Sequence, residues 1–244
     1  SSGGLTYNWN FNGGATNSSL EDPGSVTFST VGTYTVTLTV TDADGGSATD
    51  TQVITVNANV APTATIDTPN SAQTIQIGGN VSFTGTGTDS DGNTPLTYLW
   101  DFNGGATNST VEDPGAITFS TAGTYTVTFT VTDTLGASTS DTVSIKVNAA
   151  PTAVIDTPST ASTIQVGSAV SFTGSGTDSD SSGGLTYGWN FGGGATNASL
   201  EDPGAVTFST AGVYTVTLTV TDTDGGSATD TQVITVNSNI APTG

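Results

Sequence analysis

The chain has 244 residues, 33% of them hydrophobic, with 32 Gly, 9 Pro and abundant Thr, a composition suited to short strands joined by tight turns rather than to helices. Its 21 acidic residues face a single basic one, Lys146, for a net charge of -20; that charge repels phosphate and leaves no cations to neutralise it, which excludes nucleic acid as a partner. With no Cys, Met or His, neither a disulfide framework nor a thiol nucleophile exists, and no run of 18 apolar residues marks a membrane-spanning helix.

The first 64 residues carry a strand of strict alternation, with Tyr34, Val36, Leu38 and Val40 on one face and Thr on the other. That period of two marks a half-buried strand. The same strand returns as Tyr125, Val127, Phe129 and Val131, and again as Tyr214, Val216, Leu218 and Val220. Residues 1–64 can be laid on 181–244 with only ten differences, which implies recent duplication inside a longer array.

The middle copy is complete. Its strands are predicted over Thr63–Asp67, Thr74–Ile77, Asn80–Thr86, Leu96–Asn103, Ala116–Ser120, Gly123–Thr132 and Thr139–Val147. About seven strands in roughly 90 residues, with turn signals between them, predict a β-sandwich. The chain therefore reads as an all-β array without helices: a partial domain at 1–58, complete domains at 59–148 and 149–237, and the start of a linker at 238–244. Copy one lacks counterparts of the strands at 63–77 and 80–86, so its sheet would expose a core face and open edges. Either the native polypeptide continues upstream or a neighbouring chain donates strands. The first is preferred, because the tail at 237–244 is too short to donate both. The joints at 57–63 and 148–152 are brief and hold Pro62 and Pro151, which predicts a semi-rigid acidic rod.

Tyr98, Trp100, Asp101 and Phe102 followed by Gly104-Gly105, then Gly123-Thr124-Tyr125 and the strand running to Asp133 and Gly136, resemble the PKD (polycystic kidney disease) domain. The resemblance covers all three copies. It implies an Ig-like sandwich in an extracellular or cell-surface protein, occurring as tandem arrays or as accessory modules of secreted enzymes. The family's usual Trp-Asp-Phe-Gly-Asp-Gly turn loses acidic positions here, as in Trp9-Asn10-Phe11-Asn12-Gly13-Gly14. Independently of the family, Trp9, Trp100 and Trp189 are placed to plug the space between two sheets, and Tyr34, Tyr125 and Tyr214 resemble the tyrosine corner of Ig folds. All six are expected in the core.

Chemistry finds little to work with. Ser and Thr have no His to activate them, and Lys146 lies mid-strand, so no catalytic triad can be built. The Glu-Asp pairs 21/22, 112/113 and 201/202 each precede Pro-Gly and read as turns before they read as glycosidase carboxylates. Loops such as Asp89-Ser90-Asp91-Gly92 and Asp178-Ser179-Asp180 carry the oxygen ligands that Ca²⁺ takes. Asp67, Asp89, Asp91, Asp156, Asp178 and Asp180 are the candidate calcium ligands, with hairpin turns as the competing reading. No other cofactor is expected. Asn17, Asn108 and Asn197 each keep the glycosylation tripeptide, with a loop Asn bonding its own backbone as the alternative. Thr-rich strands could pair laterally into fibres, or form a solvated outer sheet. The sequence thus points to a non-catalytic structural or adhesive repeat segment of a filament, stalk or adhesin, with further copies upstream and downstream as partners. Accessory substrate- or polysaccharide-binding modules of a secreted hydrolase are the alternative.

Overall fold

The computed structural model describes residues 4–180 and 183–238, and the linker expected from 238 lies, from 239 onward, outside them. No helix occurs among the described residues. The chain divides into two compact units, Ser1–Val60 and Ala61–Gly244.

The larger unit contains two sandwiches, each around its own hydrophobic core. In the middle copy, β4 (Thr63–Thr68), β6 (Asn80–Thr88) and β8 (Gly115–Thr118) form a three-stranded sheet. Facing it, β5 (Gln73–Gln76), β10 (Ser138–Asn148), β9 (Gly123–Thr132) and β7 (Thr97–Asp101) make a four-stranded sheet in that order, with β5 parallel to β10. The last copy repeats the plan. There β11 (Val154–Thr157), β13 (Ala169–Ser175) and β15 (Gly204–Thr207) lie opposite β12 (Ser162–Gln165), β17 (Ser227–Asn237), β16 (Gly212–Thr221) and β14 (Thr186–Asn190). In both, the long alternating strand puts its apolar members inward, so that Val127, Phe129 and Val131 are fully buried while the intervening Thr face outward.

Trp100 (0% exposed) stacks on Phe129 with ring centroids 4.4 Å apart and meets Phe83 edge-on at 5.4 Å. Its indole N–H donates to the Glu112 carbonyl at 3.0 Å, so the polar end of a buried ring is satisfied. Trp189 (1% exposed) occupies the same place in the last copy. Gly85 explains how the sheets come so close. A Cβ there would lie 2.7 Å from Phe129 and 3.0 Å from Trp100, and one at Gly174 would lie 2.8 Å from both Trp189 and Leu218.

The smaller unit differs. It holds one sheet of three strands, β1 (Thr6–Asn10), β2 (Gly32–Thr41) and β3 (Ser47–Val56). The segment Gly24–Thr27 matches β8 and β15 in sequence but is not a strand, because β8 and β15 are strands only by pairing with β6 and β13. Trp9 is accordingly half-buried, unlike the interior plug its sequence context suggests. The corner tyrosines also depart from expectation. Tyr34, Tyr125 and Tyr214 are half-buried rather than enclosed, and each hydroxyl donates to the carbonyl four residues upstream, of Thr30, Thr121 and Thr210, at 2.8, 3.0 and 2.9 Å.

Candidate interaction site at the repeat joint

Acidic loops dominate the ends of the sandwiches. Between β9 and β10, one oxygen of Asp133 accepts the backbone N–H groups of Leu135 and Ala137 at 2.8 and 2.9 Å. Asp42 does the same for Asp44 and Gly46, and Asp222 for Asp224 and Gly226. The first Asp thus builds the turn by itself. This is why Leu135 can stand where the other copies have a second acid. Asp89 serves a loop likewise, accepting from Asp91, Gly92 and Asn93, while Asp91 accepts from the Asn93 side chain at 2.8 Å.

The six candidate calcium ligands are not brought together. Asp67 accepts the Thr86 hydroxyl at 2.7 Å and sits at the β4 irregularity opposite Thr84 and Gly85. At about 3.3 Å per residue that is more than 10 Å along the strand from Asp89 and Asp91. Asp156 holds the matching place on β11, remote in the same way from Asp178 and Asp180. Among the described residues, no three Asp, Glu, His or Cys side chains form a group that could hold a metal ion.

Asp178 and Asp180 do meet each other, at the joint between the middle and last copies. Asp180 accepts the Ala149 backbone N–H at 2.8 Å, and Asp178 accepts that of Asp180 at 3.3 Å. One oxygen of each carboxylate is buried without a hydrogen-bond partner. Desolvation first, then the charges of Asp180 and Asp222, push the Asp178 carboxyl above its usual range. An acid raised in the folded state contributes stability below its unfolded value near pH 3.9 and loses it as pH rises through the folded value. Asp178→Asn is therefore expected to raise the melting temperature at pH 7 and flatten the stability profile just above pH 4. An unchanged melting temperature across that range would contradict the repulsion.

The same joint holds the chain's one cation. Lys146 Nζ lies 2.7 Å from Asp224 Oδ2, and Gln76 Nε2 donates to the Asp224 carbonyl at 3.3 Å. Beneath them Asn148 (0% exposed) donates its amide to Gln76 Oε1 at 3.1 Å and to Asp222 Oδ2 at 2.9 Å. That bond is the main cause holding the Asp222 carboxyl below its usual range, helped by the Gly226 and Asp224 N–H groups. Gly226 permits the approach, since a Cβ would fall 2.6 Å from the Asn148 amide nitrogen and 2.4 Å from Asp222. Lys146, read from sequence as a mid-strand residue, is thus a cross-repeat anchor. The partner is 78 residues away, beyond what local pattern can reveal.

One further side-chain role goes beyond the sequence reading, and another follows its alternative. The Glu-Asp pairs hold the facing sheet: Asp113 accepts the Gly85 N–H at 3.0 Å, Glu112 that of Gly87 at 3.4 Å, and Asp202 that of Gly174 at 3.1 Å. The cue in sequence is Gly-x-Gly at 85/87 and 174/176. Burial, then Glu112 and Glu201, also push the Tyr98 and Tyr187 hydroxyls up. Asn17, Asn108 and Asn197 are exposed, and each side-chain carbonyl accepts the N–H of Phe11, Phe102 or Phe191 at 3.1, 3.1 and 3.3 Å, pinning the Gly-Gly loop. Buried Trp100 and Trp189 present no ring face to a carbohydrate.

A family model described as PKD domain matches three times, over residues 1–56, 59–147 and 148–236. Among solved structures, a three-Ig segment of titin is 15% identical, covers 96% of this chain and 88% of its own, and superposes with a TM-score of 0.46. The EC1–3 segment of Drosophila N-cadherin is 17% identical with coverages of 96% and 89% and a TM-score of 0.34. The fibronectin(III)-like modules of Clostridium thermocellum CbhA are 18% identical with coverages of 72% and 95% and a TM-score of 0.35.

Proposed function

Because the chain belongs to the PKD domain family and carries that domain three times in tandem, we propose that it is a non-catalytic structural or adhesive segment of an extracellular, cell-surface protein. Successive repeats act as coupled spacers in a semi-rigid acidic rod. The observation carrying this reading is the joint itself. A brief linker, one ion pair at 2.7 Å and a fully buried Asn148 tie the middle repeat to the last, and such a contact transmits load and orientation where a flexible tether would not. The net charge of -20 favours solubility and separation of neighbouring rods at low salt. The Thr faces are where rods would meet laterally when salt screens that charge.

Immunogold labelling of intact cells of the source organism, with an antibody against the repeat, tests this. Labelling along extended surface structures is expected. Label confined to the cell interior, or found only on dispersed single chains, would sink the reading.

A further inference from the structure

The three repeats are not joined by one rule. The middle repeat ends with Lys146 and Asn148 and passes to the next copy over 148–152, whereas the first ends with Thr55 and Asn57 and takes the longer passage 57–63. The turns of the repeats that follow differ in step. After the short passage comes Asp222-Thr223-Asp224-Gly225-Gly226, and after the long one Asp133-Thr134-Leu135-Gly136-Ala137. Lysine, short passage, second aspartate and final glycine therefore travel together, as do threonine, long passage, leucine and alanine. The last repeat ends with Thr235, as the first ends with Thr55. The division of the chain falls at Val60, in the long passage, and leaves the middle and last repeats in one compact unit.

At the short joint each of these differences has a physical counterpart. Lys146 Nζ meets the Asp224 carboxylate at 2.7 Å, and a leucine there would offer the ammonium no acceptor. Gly226 is buried, and a Cβ on it would lie 2.6 Å from the Asn148 amide nitrogen and 3.1 Å from the Ala150 Cα. Asn148 cannot step aside, because that amide is held by Gln76 at 3.1 Å and Asp222 at 2.9 Å. An alanine such as Ala137 would therefore force the two repeats apart or cost Asn148 its bonds. The first repeat shows the same turn without this constraint. Gly46 is exposed, and the nearest atoms to a Cβ there all belong to Asp42.

We infer that the end face of the middle repeat, built on Gln76, Lys146 and Asn148, is selective: it seats a repeat whose turn reads Asp-x-Asp-Gly-Gly and rejects one whose turn reads Asp-x-Leu-Gly-Ala. Charge supplies the attraction, and the absent Cβ supplies the exclusion. The matched pair of repeats is then the building module of the array, in place of the single domain. Its period is the 180 residues that separate residue 1 from its match at 181. This goes beyond the spacer role and stands on the joint alone, whatever surface the array serves.

Because the chain has no Cys, spin labels can be attached at Ser82→Cys and Ser171→Cys, exposed and equivalent positions on β6 and β13. The distance distribution between them in the whole chain reads the joint. It is expected to be narrow in the labelled parent and broadened by Asp224→Leu with Gly226→Ala, which gives the last repeat the turn of the middle one. Melting of the larger unit should fall by about 3 °C or more. Lys146→Thr alters only the middle repeat and should broaden the distribution too, so a last repeat that fails to fold does not decide the matter. Asp44→Leu with Gly46→Ala makes the same turn in the first repeat and should leave the melting unchanged. A distribution that stays narrow in either joint variant overturns the inference, as does an equal melting loss from the first-repeat control.

Discussion

Trp100→Ala is expected to cost about 3–5 kcal/mol, enough to leave the middle repeat marginal or unfolded. The indole is wholly enclosed, stacks on Phe129 at 4.4 Å and closes the space that Gly85 leaves open. Removing it leaves a cavity that a β-sandwich with ladders on both sides cannot collapse to fill. The same change at the half-buried Trp9 removes a ring already partly in water and should cost about 1 kcal/mol. Scanning calorimetry of the two variants beside the wild type separates these effects. Equal losses would mean that the first repeat hides its Trp as the others do, contrary to the single sheet described for it.

Asn148→Ala is the second large effect. It removes a fully buried amide that bridges Gln76 and Asp222 across the joint. A buried acceptor left without its donor costs about 1–3 kcal/mol. The pH dependence gives a sharper readout. Asp222 is held low in the folded protein, so it contributes stability above its unfolded value near pH 3.9, and that stability is lost as pH falls through the lower folded value. Without Asn148 the carboxyl moves back toward its ordinary range, and this part of the acid transition should flatten. Urea titrations at pH 3, 4 and 7 would show it. A variant whose loss is the same at every pH would place the effect in packing alone.

Much of the architecture was legible because strands announce themselves by alternation. The Gly123–Thr132 strand coincides with its prediction. Sequence did not disclose that Gly24–Thr27 would stop being a strand, since strand identity there depends on a partner rather than on its own residues. Nor could it place the acidic residues. Asp42 and Asp133 serve turns by local bonds, whereas Asp113 and Asp141 reach backbone 28 and 75 residues away. All four look alike in a list of carboxylates, and only tertiary approach distinguishes a turn-builder from a clamp on the opposite sheet. The expectation of calcium ligands failed to assemble for the same reason: proximity in the chain put Asp89 beside Asp91, while β4 carried Asp67 away along its length.

A lone lysine in a chain without arginine has a practical corollary. Trypsin, which cuts after basic residues, has a single bond to attack, Lys146-Val147, and that bond lies inside β10 with its ammonium group clasped by Asp224. Because β10 is laddered to β5 on one side and β9 on the other, and Val147 is fully buried, proteolysis becomes a gauge of how often that strand leaves its sheet. An intact chain marks a closed sheet, and the appearance of two fragments counts its openings.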